Sequence, residues 1–406
     1  MKALVLCGGF PQAALVRELK KRDIFTILAD MNENVEARKF SDKFYKVSAL
    51  DMEGIAKIAI KEQIDLVLTV CADQVLLVQA KISEQLGLPC YIDYETAKKV
   101  SNKELMKKFL NENDIPTSKY VIVNKYSLDS IKEMSYPMVV KPTDSYSSRS
   151  VRKVFEKADL ESAVNRALRT SSAKTAVVEE YVQGEELTVD AYIQGGIVYI
   201  LSISHIDKIP SQNQFVICRT RYPALIGEET QAKIVDIANK IAKGLGLKDS
   251  PLLIQLVVNE ERISVVEFCA RTGGGDKFRL IQRVSGVDVI RAMVDLSLGI
   301  RSKMVIDQYP GFIVNEFIYT KDGVLDHLHG FDEMKQRGFI VEYFQLKEQG
   351  RKCGGVGSSG DRVAYYTLEA SSLDKLRTMD QAVNDKVKVI AINGEDIMLH
   401  DFVASY

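Results

Sequence analysis

The 406-residue chain contains no uninterrupted apolar run near the roughly 20 residues that span a bilayer, so no membrane partner is expected. It has no C-x-x-C pair. Cys7, Cys71, Cys90, Cys218, Cys269 and Cys353 are scattered, which argues against a disulfide framework and a zinc site and fits a reducing cytoplasm. Four histidines leave little room for chemistry built on imidazole. Excess charge of one sign is absent too: the formal net charge is −1, which gives no bias toward nucleic acid or anionic lipid. Two nucleotide devices are also missing. There is no G-x-x-x-x-G-K-[ST] loop, and the turn after the first strand, GGFPQAA, lacks G-x-G-x-x-G even though Asp30 follows at a suggestive distance. The one G-x-G-x-x-G, Gly355–Gly360, lies between two strand-like stretches and reads as a hairpin loop.

What is present is the composition of a soluble globular protein, 46% apolar and 27% charged, long enough for about two to four domains. Residues 1–92 alternate short apolar strands (3–7, 25–29, 43–47, 66–70) with amphipathic helices (11–21, 52–61, 75–86). That pattern predicts a parallel, doubly wound sheet with ligands off the carboxyl ends of its strands, where Gly8, Gly9, Asp30 and Asp73 fall. Residues 93–133 read as helical, with Ser101 and Glu104 as a capping box. Met138–Pro142 is a short strand ending in Lys141, followed by the polar, glycine-free loop TDSYSSRS. Strands are expected at 177–184, 187–193 and 197–203, and helices at 229–245 and 287–298. A C-terminal α+β unit should have strands near 311–319, 339–346, 362–368 and 387–392 and a helix at 372–383.

The stretch from Leu252 to Phe278 carries the most chemistry. Two alternating strands joined by Asn259–Arg262 place Gln255 opposite Glu267. A carboxylate in an apolar strand needs a partner, and both side chains offer oxygen to a hard cation. Arg271 and Gly273-Gly274-Gly275 follow, a cation and a glycine run through which backbone N–H groups can approach an anion. Taken alone, the stretch reads equally well as a hairpin with one edge acid and a flexible loop.

In this order the pieces resemble the ATP-grasp superfamily of carboxylate–amine ligases, among them carbamoyl-phosphate-synthase-large-chain-like and L-amino-acid-ligase-like proteins. The resemblance spans nearly the whole chain. It implies a mixed α/β and α+β fold: a Rossmann-like domain at 1–92, a two-lobed ATP-grasp domain at 93–300 with its small lobe at about 115–182, and an α+β domain at 301–406 completing the large lobe. It also implies ATP and Mg²⁺ as cofactors, with Mn²⁺ as a substitute, small-molecule carboxylate and amine substrates, and a cytoplasmic protein, for which a homodimer is the default. Lys103 and Lys141 correspond to the nucleotide lysines, and Ser147 and Ser148 to the phosphate-covering loop. Glu179, Glu180 and Val182 fall at the adenine hinge, and Glu186 at the ribose acid. Gln255 and Glu267 are the metal positions, and Arg271 with Lys141 is catalytic. Cys269 stands where the family has an asparagine metal ligand, and a thiol is a poor partner for Mg²⁺. A bicarbonate-using carboxylase and a non-catalytic nucleotide-binding regulator are the rival readings. Identity of the acid and the amine is not written in these motifs.

Overall fold

The computed structural model describes residues 1–125, 128–146, 148–209, 215–301 and 303–400. In the N-terminal unit the strands Lys43–Lys46, Phe25–Asp30, Lys2–Leu6 and Leu66–Leu68 lie side by side in that order, all parallel. Helices Phe10–Lys20, Met52–Glu62 and Asp73–Leu86 supply the apolar residues that pack on both faces, so the central strands are almost wholly buried. Gly8, two residues past the first strand, has no room for a side chain: a Cβ there would lie 2.2 Å from Val35 Cγ2. Its N–H donates to Asp30 Oδ2 at 2.8 Å, while Asp30 Oδ1 accepts from Asn32 N–H. Asp30 therefore ties two loops together at the carboxyl edge of the sheet.

Helices Tyr94–Ser101 and Lys103–Glu112 lead out of this unit. The cap of the second is Asn102, whose side chain accepts from the N–H groups of Glu104 and Leu105, whereas the expected cap, Ser101, ends the first helix and donates to Asp73 O. The expected helical stretch 93–133 also breaks. Tyr120–Val123 is a strand, because its β-branched run pairs with Ala176–Glu180. These two, with Met138–Pro142 and Arg152–Val154, make a four-stranded antiparallel sheet backed by helix Lys157–Thr170.

The larger sheet has eight strands in the order Ile263–Cys269, Ser250–Val258, Glu185–Gln194, Ile197–Lys208, Ile217–Tyr222, Phe312–Ile318, Ala364–Ala370 and Glu342–Gln345. Every neighbouring pair is antiparallel, and the last three strands come from beyond residue 301. Helix Glu228–Gly244 buries Ile234, Ile237 and Ile241 with Leu187, Val189 and Ile254 of the sheet and Phe109 of helix Lys103–Glu112, forming one core. The strands Glu342–Gln345 and Ala364–Ala370 that flank Gly355–Gly360 do pair, but the connection is longer than a simple hairpin loop, because strand Lys352–Cys353 intervenes and joins another sheet. A small sheet of Lys352–Cys353, Gly323–His329 and Lys388–Ala391 completes the chain. The N-terminal unit docks on the rest of the chain through Arg22, paired with Asp295 of helix Val289–Ser297 at 2.6 Å, and through Tyr91 Oη, which donates at 2.9 Å to Ala270 O just past strand Ile263–Cys269. Among the described residues no helix is long and apolar enough to cross a membrane.

Candidate functional site

The N-terminal unit, the four-stranded antiparallel sheet and the large sheet enclose a cavity of about 960 Å³. Lys103, Lys141, Ser148, Glu179, Glu180, Val182, Glu186, Gln255, Glu267 and Arg271 all line it. Ser147 lies outside the described residues.

Lys141 reaches the cavity from the end of a strand that is buried throughout. Its Nζ stands 2.5 Å from Glu179 Oε1 on the adjacent strand. Glu179 Oε2 meets Lys107 Nζ at 2.6 Å and accepts from Ser118 Oγ at 2.7 Å. Burial works to raise the Glu179 carboxyl, but Lys107 and Lys141 outweigh it and hold it far below the usual carboxylate range. Glu179 thus spends both oxygens on the lysines and positions Lys141. Lys107 was not singled out in the sequence, where it looks like a solvated helix lysine beside Lys108. It is 1% exposed and also donates to Thr117 and Ser118. The available signal was its spacing of four from Lys103, which puts both on one helix face.

Lys103 is the first residue of its helix. Its N–H donates to Thr143 O, and its Nζ donates to Ser145 O at 2.6 Å and sits 4.0 Å from Glu267. One ammonium therefore bridges the polar loop and the candidate metal acid. In that loop Ser148 and Ser150 have φ of 58° and 60°, left-handed conformations that glycine adopts at less cost. Ser148 Oγ donates to Phe215 O, joining the loop to the opposite wall.

Between the sheets the chain passes through Tyr181–Gly184. A Cβ on Gly184 would lie 2.4 Å from Val258 O, so only glycine passes there. The Tyr181 N–H donates to Pro137 O, and Glu180 Oε1 accepts from Ser135 N–H. Glu186 pairs with Lys208, a cavity cation that no sequence pattern marked.

Gln255 and Glu267 are direct partners across Ser250–Val258 and Ile263–Cys269, with Thr188 next to Gln255 on the other side. A register shift follows Gln255. Two facing hard oxygen donors fit Mg²⁺, which takes few protein ligands and completes its shell with water and phosphate oxygens. Among the described residues no group of three or more His, Cys, Asp or Glu side chains could hold a metal. Cys269 lines the cavity and is also 3% exposed, with burial pushing its thiol well above the usual range. Cys269→Asn should retain activity and lower the Mg²⁺ concentration needed for half-maximal rate, because the amide adds a hard oxygen. A melting temperature lowered to match a cost of about 1–3 kcal/mol, with no change in Mg²⁺ response, would instead make Cys269 a packing residue.

Arg271 Nε donates to Asp73 Oδ1 at 2.6 Å and Nη1 to Thr272 O at 2.8 Å. Burial opposes its charge, but Asp73 from the N-terminal unit keeps it firmly protonated. Gly273 lets this turn close: a Cβ there would meet Lys277 Cγ at 2.8 Å and Asp190 Oδ1 at 3.0 Å. His205 lies within strand Ile197–Lys208. It lines the cavity, and its Nε2 accepts from Leu225 N–H, so the neutral ring carries its proton on Nδ1. His327 and His329, on strand Gly323–His329, do not line the cavity.

Residues 134–278 match the model of the ATP-grasp domain family. The large chain of carbamoyl phosphate synthase from Clostridium acetobutylicum is 24% identical over 288 residues, which are 69% of this chain and 26% of that protein. The chain thus spans about a quarter of the length of such curated relatives. An L-amino acid ligase from Bacillus licheniformis shares the fold with a TM-score of 0.82 at 20% identity, covering 96% of this chain and 98% of that one. N5-carboxyaminoimidazole ribonucleotide synthetase from Thermotoga maritima gives 0.75 at 16% identity, covering 96% and 99%. The matched segment runs from the lysine strand to the glycine loop of the cavity, and the solved structures share the fold over nearly the whole chain.

Proposed function

We propose that the protein is an ATP- and Mg²⁺-dependent ligase that activates a carboxylate as an acyl phosphate and joins it to an amine. The observation that carries this reading is the convergence of Lys103, Lys141, Arg271 and the Gln255–Glu267 pair on one cavity. Lys103 and Lys141 hold the phosphate oxygens of ATP, and backbone at Glu180 and Val182 meets adenine. Glu186, with Lys208, stands for the ribose. Gln255 and Glu267 would hold Mg²⁺, whose charge offsets that of the phosphates when bound. The substrate carboxylate attacks the γ-phosphorus, ADP leaves, and Arg271 stabilises charge on the transferring group. The amine then attacks the acyl carbon and inorganic phosphate leaves. Ser148 closes the loop over this reaction and excludes water.

The test is phosphate release from Mg·ATP across a panel of carboxylic acids, each with mixed amines, with bicarbonate as a separate arm. Release that needs both acid and amine supports the ligase. Release with bicarbonate alone identifies a carboxylase, and no release in any arm favours a nucleotide-binding regulator. In the same assay Glu267→Gln should slow turnover roughly 10²-fold, with Gln255→Ala milder, since an amide is the weaker ligand. Full activity in Glu267→Gln would move the metal site elsewhere.

A further inference from the structure

Amide formation needs a proton acceptor. An amine of ordinary basicity (about pKa 10 for a lysine-like group) arrives as ammonium and has no lone pair to attack with. Most acids of the cavity are committed. Asp73 holds Arg271, Glu179 holds two lysines, Glu186 holds Lys208, and Asp207 accepts two bonds from Arg221 at 2.8 and 2.9 Å. Asp30 accepts from loop N–H groups and Glu180 from Ser135 N–H. Glu185 lies beside His205, whose free nitrogen already takes the Leu225 N–H.

Asp276 is different. It follows the glycine run directly, lines the cavity with Arg271 and Gly273–Gly275, and is 4% exposed. Its Oδ1 accepts from Tyr365 Oη at 2.6 Å, and its Oδ2 faces the Asn315 amide at 3.5 Å, too long for a strong bond. The nearest cation, Arg279, is 3.4 Å from Oδ1 and shared with Glu342. We propose that Asp276, oriented by Tyr365 and Asn315 beside the glycine run, is the general base that accepts the proton of the incoming amine. Its carboxylate takes one proton from the ammonium, and the freed lone pair forms the C–N bond. The C–O bond to phosphate breaks, and the second nitrogen proton leaves with phosphate. Asp276 then releases its proton to solvent. Burial raises the Asp276 carboxyl to about 7, with Glu342 adding to the rise and Tyr365, Arg279 and Arg283 opposing it; Lys277 is the other charged neighbour. A base with this value is poised near neutral pH.

The inference rests on the ligase reading, and one experiment separates the two. The acid giving the most phosphate release in the panel is offered with its amine or with hydroxylamine, which is largely unprotonated at neutral pH and needs no base. Wild type should form amide and hydroxamate. Asp276→Asn should lose about 10²-fold in amide formation and keep hydroxamate formation. The wild-type fall in rate as pH drops through about 7 should vanish in Asp276→Asn and shift in Asp276→Glu. Equal loss of both products, or an unchanged pH limb, overturns the role of Asp276. Should Asp276→Asn fail to fold, the glutamate variant decides, since an unmoved limb there overturns the role. Absence of hydroxamate from wild type overturns the ligase reading itself, and this role with it.

Discussion

Lys141→Ala is expected to abolish most turnover, by roughly 10²–10³-fold in kcat, and to weaken ATP binding, as loss of a preorganised charge at a phosphoryl site does. The fold should survive. Lys107 stays 2.6 Å from Glu179 and keeps that buried carboxylate paired, while Lys141 ends its strand facing the cavity. ATP titration by calorimetry and a melting curve separate the two effects. A normal melting temperature with lost affinity assigns Lys141 to the nucleotide. Unchanged affinity and rate remove it from the site.

Glu179→Ala should cost about 3–5 kcal/mol of stability, because it strands two ammonium groups in the interior without their shared counter-charge. Lys107 and Lys141 are 1% and 4% exposed, so water does little to compensate. The sign of the pH effect follows from the depressed carboxyl. Its contribution is fully present above the ordinary glutamate value of 4.5 and is lost as pH falls toward its folded value. Denaturant midpoints of the wild type should therefore fall more steeply below about pH 4.5 than those of the variant. Parallel acid limbs would show that the triad contributes nothing to folding.

Much of the candidate site was legible because its residues break the apolar pattern of the elements that carry them, where local pattern and chemistry coincide. Lys141 closes an apolar strand, Gln255 and Glu267 interrupt two alternating strands, and Gly273 belongs to a run of three glycines. The parallel N-terminal sheet was legible for the same reason, through alternation of strands and helices. Tyr120–Val123 was not, since four residues show too little period to stand against a helical neighbourhood, and its partner strand lies more than fifty residues away.

Amino-acid order by itself determined which chemical groups the chain owns and on which kind of element each one sits. Periodicity and turn chemistry act over a few residues, and they set strand, helix and loop. Only the tertiary structure decided which charges neutralise one another. Lys107 became a buried partner of Glu179, Asp73 the counter-ion of Arg271 from 198 residues away, and Asp276 an acid seated between Tyr365 and Asn315. The reason is that pairing energy and desolvation depend on distance through space and on exclusion of water, and neither is encoded in local spacing.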